Sequence, residues 1–472
     1  MKATQTMLDR MNQWIDAHEP EIIAELQSFV RIRSVSRADL AMVRAPYGPD
    51  MREMLNFALL RGASYGFDTA NHEGHCGSIM LGDPTHAIGI FGHLDVVPEG
   101  EGWTWPPFDA VREGDFVIGR GVNDNKSACV IGLMLMHMYK DLGISLRHGI
   151  RLVCGCSEET GMADMEYFAQ TQVMPEVSLV PDMRFPVCYA QKGMMGAHLS
   201  IPLGDGDLLS FCGGEAANMV PPKAEAVLNL PLATVSAAIG CTPGLEVTAL
   251  DGQTLVRATG LAAHAAYPET GKSAIFLLAD TLAKSGLLSG LSAEAMCAVA
   301  DVATGFYGRQ AGIHGEDPET GKTTMVLGTA HTCGRSVHIT VDSRLCIAAN
   351  LADVEHNFTA YATRLGFMID DFSLKNPFYV RKDDPRILSL MSLYQALTGD
   401  DSPAYTSGGG TYSRCLENAF TFGPGFPEPL PKPAGLPEGH GGAHSPDEYI
   451  HVPAFLRAMK IYAAAILELD QL

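Results

Sequence analysis

His93 and Asp95, two residues apart in the stretch GHLDVVP (92–98), have types and spacing suited to holding a metal ion. They follow the apolar run Ala87-Ile88-Gly89-Ile90-Phe91, which reads as a short buried strand. On an extended backbone the two side chains point to the same side. An imidazole can give one ring nitrogen to a metal while an acid holds the other and fixes the tautomer. One such pair is ordinary in loops, but here the setting recurs. The run Ile150–Cys156 ends in Ser157-Glu158-Glu159, and Val177–Val180 ends at Pro181-Asp182. Phe116–Ile118 leads into a glycine-spaced loop that presents Asp124. Adjacent carboxylates behind a buried strand repel each other unless a cation shares them. Asp124 is ambiguous by itself: a helix begins just after it, and capping that helix is the favoured reading from local sequence.

The elements that position these residues alternate between strands and helical stretches. That order predicts an α/β fold with a mostly parallel sheet, whose ligands gather at the carboxyl ends of the strands. His93, Asp95, Asp124, Glu158, Glu159 and Asp182 all fall at such ends or just beyond. An amphipathic helix is expected over the first thirty residues, with Pro20 in a first turn, and a second over Arg52–Gly66. Further helices are expected over Ser127–Tyr139, Pro385–Thr398 and Pro453–Leu469. From about residue 186 to 383 the texture changes to short alternating runs rich in glycine, which reads as an inserted α+β domain. The expected division is 1–185 and 383–472 for the catalytic domain and 186–382 for the insert. PETGK occurs twice, after His264 and at Pro318–Lys322. Neither copy is a phosphate loop, because Ala266 and Glu316 stand where the first glycine is required. The Pro/Gly-rich stretch 423–442 is expected to be an ordered loop beside the site, ahead of HSPDEYI with His444.

A length of 472 residues fits two domains, and 46% hydrophobic with 18% charged residues describes a globular chain. The net charge, 33 − 54 = −21, argues against nucleic-acid or anionic-membrane partners. The amino terminus lacks the apolar core of a signal peptide, and no apolar stretch reaches the ~18 residues needed to span a bilayer. Eleven cysteines without a C-x-x-C pair fit reduced thiols, and the expected location is cytoplasmic. His72, His75 and Cys76 are three soft ligands close together, but nothing downstream completes a closed four-ligand site.

Taken together, GHLDVVP, GWTWPPFDAVREGDFVIGRGVNDNK, SEETGMADMEYF, GGGTY and HSPDE resemble the co-catalytic dizinc amidohydrolases. That family includes aminoacylase, acetylornithine deacetylase, succinyl-diaminopimelate desuccinylase and carboxypeptidase G, and the likeness is strongest to its peptidase V and carnosinase-type dipeptidases. It spans about residues 90 to 450. The resemblance implies two divalent ions per chain, zinc first with Mn²⁺ or Co²⁺ as alternatives. One would be held by His93 and Asp182 and the other by Glu159 and His444, with Asp124 bridging. Asp95 would orient His93, Glu158 would be the general base, and the Asp124–Asn125 bond would be cis. From the insert, His264 would donate to the transition state, and Asn218 and Arg344 would contact substrate, together with Gly409 and Gly410 of the glycine loop. By its residues alone Arg344 reads first as a strand-edge salt bridge, and His264 as a loop histidine. Ser127, Ser157 and Gln191 depart from the family pattern without removing a ligand or the base.

The leading expectation is therefore a metallo-dipeptidase acting on substrates with a free C-terminal carboxylate. The insert is long enough to imitate a missing partner, which implies a monomer. An N-acyl-amino-acid deacylase of the same family is the alternative enzyme. A catalytically silent metal-binding protein is the remote one, disfavoured because Glu158 and every ligand are present.

Overall fold

The computed structural model describes residues 5–471, which divide into two compact units. One comprises the chain up to Tyr189, Val380–Tyr405 and the chain from Thr411; the other comprises Ala190–Tyr379 and Thr406–Gly410. The boundaries expected from sequence, 186 and 383, stand against 190 and 380. The strand Val187–Gln191 begins just past the first expected point, and the division falls within it, between Tyr189 and Ala190.

In the first unit four central strands are parallel in the order Gly149–Gly155, Ala87–His93, Val177–Val180, Ala419–Phe422. Cys76–Leu81 and Asp68–His72 extend one edge and Val187–Gln191 the other, all antiparallel. Every residue of the four central strands is buried. Both faces are covered, which is why these strands read as continuous apolar runs. Gly92 faces the helix Lys126–Asp141, where a Cβ would lie 3.0 Å from Cys129 Sγ. Phe91 faces the other way and meets Phe168 of the helix Ala163–Thr171 edge-on. A small sheet of Val111–Glu113, Phe116–Ile118 and Tyr449–His451 carries the loop that holds Asp124.

The single amino-terminal helix expected from sequence is two, Gln5–Ala17 and Glu19–Val30, broken at His18. Pro20 lacks an N–H and fits only a first turn, so it starts the second helix rather than sitting within one.

The second unit is an eight-stranded antiparallel sheet. Its order is Leu245–Leu250, Gln253–Thr259, Lys223–Leu228, Leu208–Gly213, Thr324–Cys333, Ser336–Leu345, Gly193–Pro202, Met368–Lys375. One face carries the core: Ala224, Ala226 and Leu228 alternate with more exposed neighbours and pack in one cluster with residues of the helices Ala274–Lys284, Gly290–Ala303 and Leu351–Arg364. Both PETGK copies are turns. One is the short helix Pro268–Thr270, and the other closes a hairpin in which Asp317 accepts from the N–H groups of Glu319 and Thr320. No helix among the described residues is long and apolar enough to cross a membrane. Among the described residues no disulfide joins any of the eleven cysteines.

Candidate metal centre

His93 closes its strand and is buried. Its Nδ1 lies 2.9 Å from the main-chain carbonyl of Asp95 and 3.4 Å from that residue's Oδ1, which turns Nε2 toward the carboxylates beyond. Nε2 is 3.1 Å from Asp124 Oδ1 and 3.7 Å from Asp182 Oδ1. The other oxygen of Asp124 is 3.3 Å from His444 Nε2, which is also 2.9 Å from Glu159 Oε1. Asp124 therefore lies between two imidazoles. The helix that follows has Asn125 at its N-cap with no side-chain cap bond, so capping is not what Asp124 does. The Asp124–Asn125 peptide is cis. Asn125 donates from Nδ2 to Pro181 O and Asp182 Oδ1, both at 2.7 Å, which fixes the second carboxylate. Ligand-type atoms of His93, Asp124 and Glu159 lie within 4.8 Å of one another, as do those of His93, Glu158 and Asp182.

Three supports were not foreseen. Asp95 accepts from the N–H groups of Glu158 (3.1 Å) and Glu159 (3.0 Å), so it anchors the carboxylate pair as well as contacting His93. Glu448 is fully buried and pairs with Arg120 at 2.7 Å. It also accepts from the N–H groups of Gly121, Asn123 and Asp124 at 3.1, 2.9 and 3.0 Å, pinning the loop that presents Asp124. Its only signal in the sequence was membership of HSPDE. Asp164 accepts from the N–H groups of Cys156 and Ser157 and from the Tyr412 hydroxyl, holding the strand end ahead of Glu158. Only glycine fits at 155, since a Cβ would come 1.9 Å from Tyr412 Oη.

The electrostatics are those of a cation site. Enclosure, followed by the charge of Asp182, holds Glu158 well above the usual carboxylate range, and burial raises Asp182 to about 6. For Asp124 burial acts upward, but hydrogen bonds from His444 and His93 hold it well below its ordinary value. Burial would lower His93, but Asp124, Asp182 and Asp95 outweigh it and hold the ring well above the ordinary histidine value. Hydrogen bonds to Asp124 and Glu159 raise His444 to about 10. The surrounding carboxylates thus favour the protonated form of both imidazoles. Imidazole nitrogens and carboxylate oxygens in this proportion suit Zn²⁺, Mn²⁺ or Co²⁺, so the residues fit divalent cations.

A pH dependence follows. The contribution of a group raised in the folded state is complete below its unfolded value, 6.5 for His444, and is lost as pH rises through about 10. A metal ligand must be neutral, so binding expels those protons. Affinity for Zn²⁺, measured by chelator competition from pH 6 to 9, is expected to rise about tenfold per pH unit for each proton displaced.

The second unit groups its own candidates. Asn218 precedes Met219–Val220, which pairs with Ala263–His264, and Asn218 O accepts from the Ala265 N–H at 2.8 Å. His264 Nδ1 accepts from the Ala266 N–H at 3.1 Å, leaving the ring proton on Nε2. Partial burial, then the charge of Arg344, holds this ring below its ordinary value and so neutral. Arg344 is buried, with Nε and Nη2 on the two oxygens of Asp342 (2.8 and 3.0 Å) and Nη1 on Gly408 O (3.1 Å). The salt bridge expected from its residues alone is present, and by count one hydrogen on each Nη remains beyond these bonds. Gly409 donates its N–H to Ser407 Oγ at 3.0 Å, and Gly410 follows in the same loop. His72 and His75 have other partners, Ser78 Oγ and the Tyr47 hydroxyl.

A family model for peptidase family M20/M25/M40 matches residues 89–468. The chain is 31% identical over 463 residues to a Bacillus subtilis (strain 168) protein named "Putative dipeptidase YtjP", covering 95% of this chain and 97% of that one. It is 26% identical over 470 residues to "Putative dipeptidase SSP1012" of Staphylococcus saprophyticus, covering 96% and 98%. Among solved structures, human carnosine dipeptidase 1 shares the fold at a TM-score of 0.61 and 17% identity, over 99% of both chains. The di-peptidase Dug1p from Saccharomyces cerevisiae shares it at 0.58 and 14%, over 99% of this chain and 100% of that one. With the family match running through the strand ends that gather His93, Asp124, Glu159 and Asp182, the chain belongs to peptidase family M20/M25/M40 and is a metal-dependent hydrolase of peptide bonds.

Proposed function

We propose that the protein hydrolyses dipeptides bearing a free C-terminal carboxylate, as a monomer with two divalent ions, zinc first. The observation that carries this is the convergence of His93, Asp124, Glu159, Asp182 and His444 on one small volume with Glu158 beside them. His93 and Asp182 would hold one ion, Glu159 and His444 the other, and Asp124 would touch both. When bound, such ions supply Lewis acidity that acidifies water and polarises a scissile carbonyl.

The remaining work belongs to the chain. Glu158 takes the proton of the attacking water and returns it to the leaving amine. Asp95 holds Glu158 and Glu159 by their N–H groups, so the base keeps its place while its charge changes. His264, neutral with its proton on Nε2, is suited to donate to the developing oxyanion. Arg344 offers its end-on edge to the terminal carboxylate, with Asn218, Gly409 and Gly410 as further substrate contacts. The relatives named as dipeptidases support this substrate class.

The test compares kcat/KM for Ala-Ala, Ala-Ala-amide, Ala-Ala-Ala and N-acetyl-Ala after metal reconstitution. Ala-Ala is expected to exceed each of the others by about tenfold or more, the loss expected when a charge-assisted contact is missing. Equal values for the first three would overturn carboxylate recognition. Faster turnover of N-acetyl-Ala would move the protein to the deacylases.

A further inference from the structure

We propose that Arg184 is a specificity-determining residue that reads a carboxylate on a side chain of the substrate, so that dipeptides containing Asp or Glu are preferred. Arg184 follows Asp182 by two positions. Both line one cleft of about 260 Å³, together with Asp124, Asn125 and Ala443, all within the first unit. The short strand Met183–Arg184 is tied down on both sides. Met183 N–H donates to Gly423 O at 2.9 Å, Phe185 N–H donates to Gly425 O at 2.6 Å, and the strand pairs in parallel with Pro424–Gly425.

The side chain is placed as firmly as the backbone. The Arg184 guanidinium lies over the ring of Tyr405, 4.1 Å from its centroid. The Tyr405 hydroxyl donates to Arg184 O at 2.8 Å and accepts from the Arg184 N–H at 3.2 Å, so one tyrosine fixes both ends of the residue. Stacking leaves the in-plane N–H groups of the guanidinium available, and their fork matches a carboxylate. Arg33, Arg61, Arg120, Arg344, Arg386 and other arginines of this acidic chain are paired with carboxylates. Among the described residues Arg184 has no such partner and is exposed at the lip of the cleft. A cation held unpaired against a cleft lined by Asp124 and Asp182 is placed to receive an anion from solution. This inference rests on the dipeptidase reading, which gives the terminal carboxylate to Arg344 and leaves a side-chain carboxylate for Arg184.

The experiment measures kcat/KM for Asp-Ala, Asn-Ala, Ala-Asp, Ala-Asn, Lys-Ala, Ala-Lys and Ala-Ala, with wild type and Arg184→Glu at equal metal content. In at least one position wild type is expected to favour the acid over its isosteric amide by about tenfold or more, the scale of a charge-assisted contact. In Arg184→Glu that ratio falls by a similar factor, and the lysine substrate of the same position gains relative to Ala-Ala. The gain matters because loss of a merely structural arginine would lower all seven rates alike. Arg184→Met should abolish the acid preference without creating the lysine preference. Acid-to-amide ratios near one in wild type, or unchanged by Arg184→Glu, would overturn the inference while leaving the dipeptidase reading intact. Failure of wild type to cleave any of the seven would overturn that reading, and this inference with it.

Discussion

Glu158→Gln is expected to lower kcat by about 10²–10⁴-fold, the range for removing a general base, while the protein keeps its metal content. Glutamine has the shape of glutamate and lacks only the basic oxygen. The bond that holds residue 158 in place runs from its main-chain N–H to Asp95 Oδ1, so it survives the substitution. In the proposed scheme Glu158 takes the proton and the metals are held by others. Yet its carboxylate lies within 4.8 Å of ligand atoms of His93 and Asp182, so elemental analysis must accompany the kinetics. Full occupancy with near-normal kcat would refute the assignment of Glu158 as base. Lost occupancy would make Glu158 a ligand instead.

The second large effect is expected of Asp124→Ala, in which metal content itself falls for both ions and turnover drops to background. Its two oxygens face two different imidazoles, His93 at 3.1 Å and His444 at 3.3 Å, so removing it takes a donor from both halves of the centre. The loop should persist, because Glu448 holds residue 124 by its main-chain N–H and that contact needs no side chain. The informative readout is thus metal stoichiometry against an unchanged circular dichroism spectrum. Two ions bound with wild-type affinity would mean that Asp124 does not bridge.

These residues were legible because strand ends have a local signature. A buried parallel strand reads as an apolar run, and an acid or histidine directly after it stands out, as at His93, Glu158 and Asp182. Asp124 was harder. Its place just before a helix gave capping the local preference, and only imidazoles brought from residues 93 and 444 decide against it. Glu448, Asp164 and Arg184 escaped for a related reason. Each acts through a partner remote in sequence: the loop at 121–124, Tyr412 and Tyr405 respectively. A carboxylate that accepts main-chain N–H groups leaves no trace in its own neighbourhood. The helix break at His18 lay in plain view in Pro20, whose missing N–H required a new first turn there.

The stitch made by Glu448 also orders events during biosynthesis. Its partners Asn123 and Asp124 lie 325 and 324 residues earlier in the chain. At translation rates of ~5–20 residues per second, roughly 16–65 s separate their synthesis from that of Glu448. A nascent chain halted before His444 already holds His93, Asp124, Glu159 and Asp182 but has neither the last imidazole nor the carboxylate that pins the loop. On the proposed scheme, hydrolytic competence thus waits for the segment from His444 to Glu448.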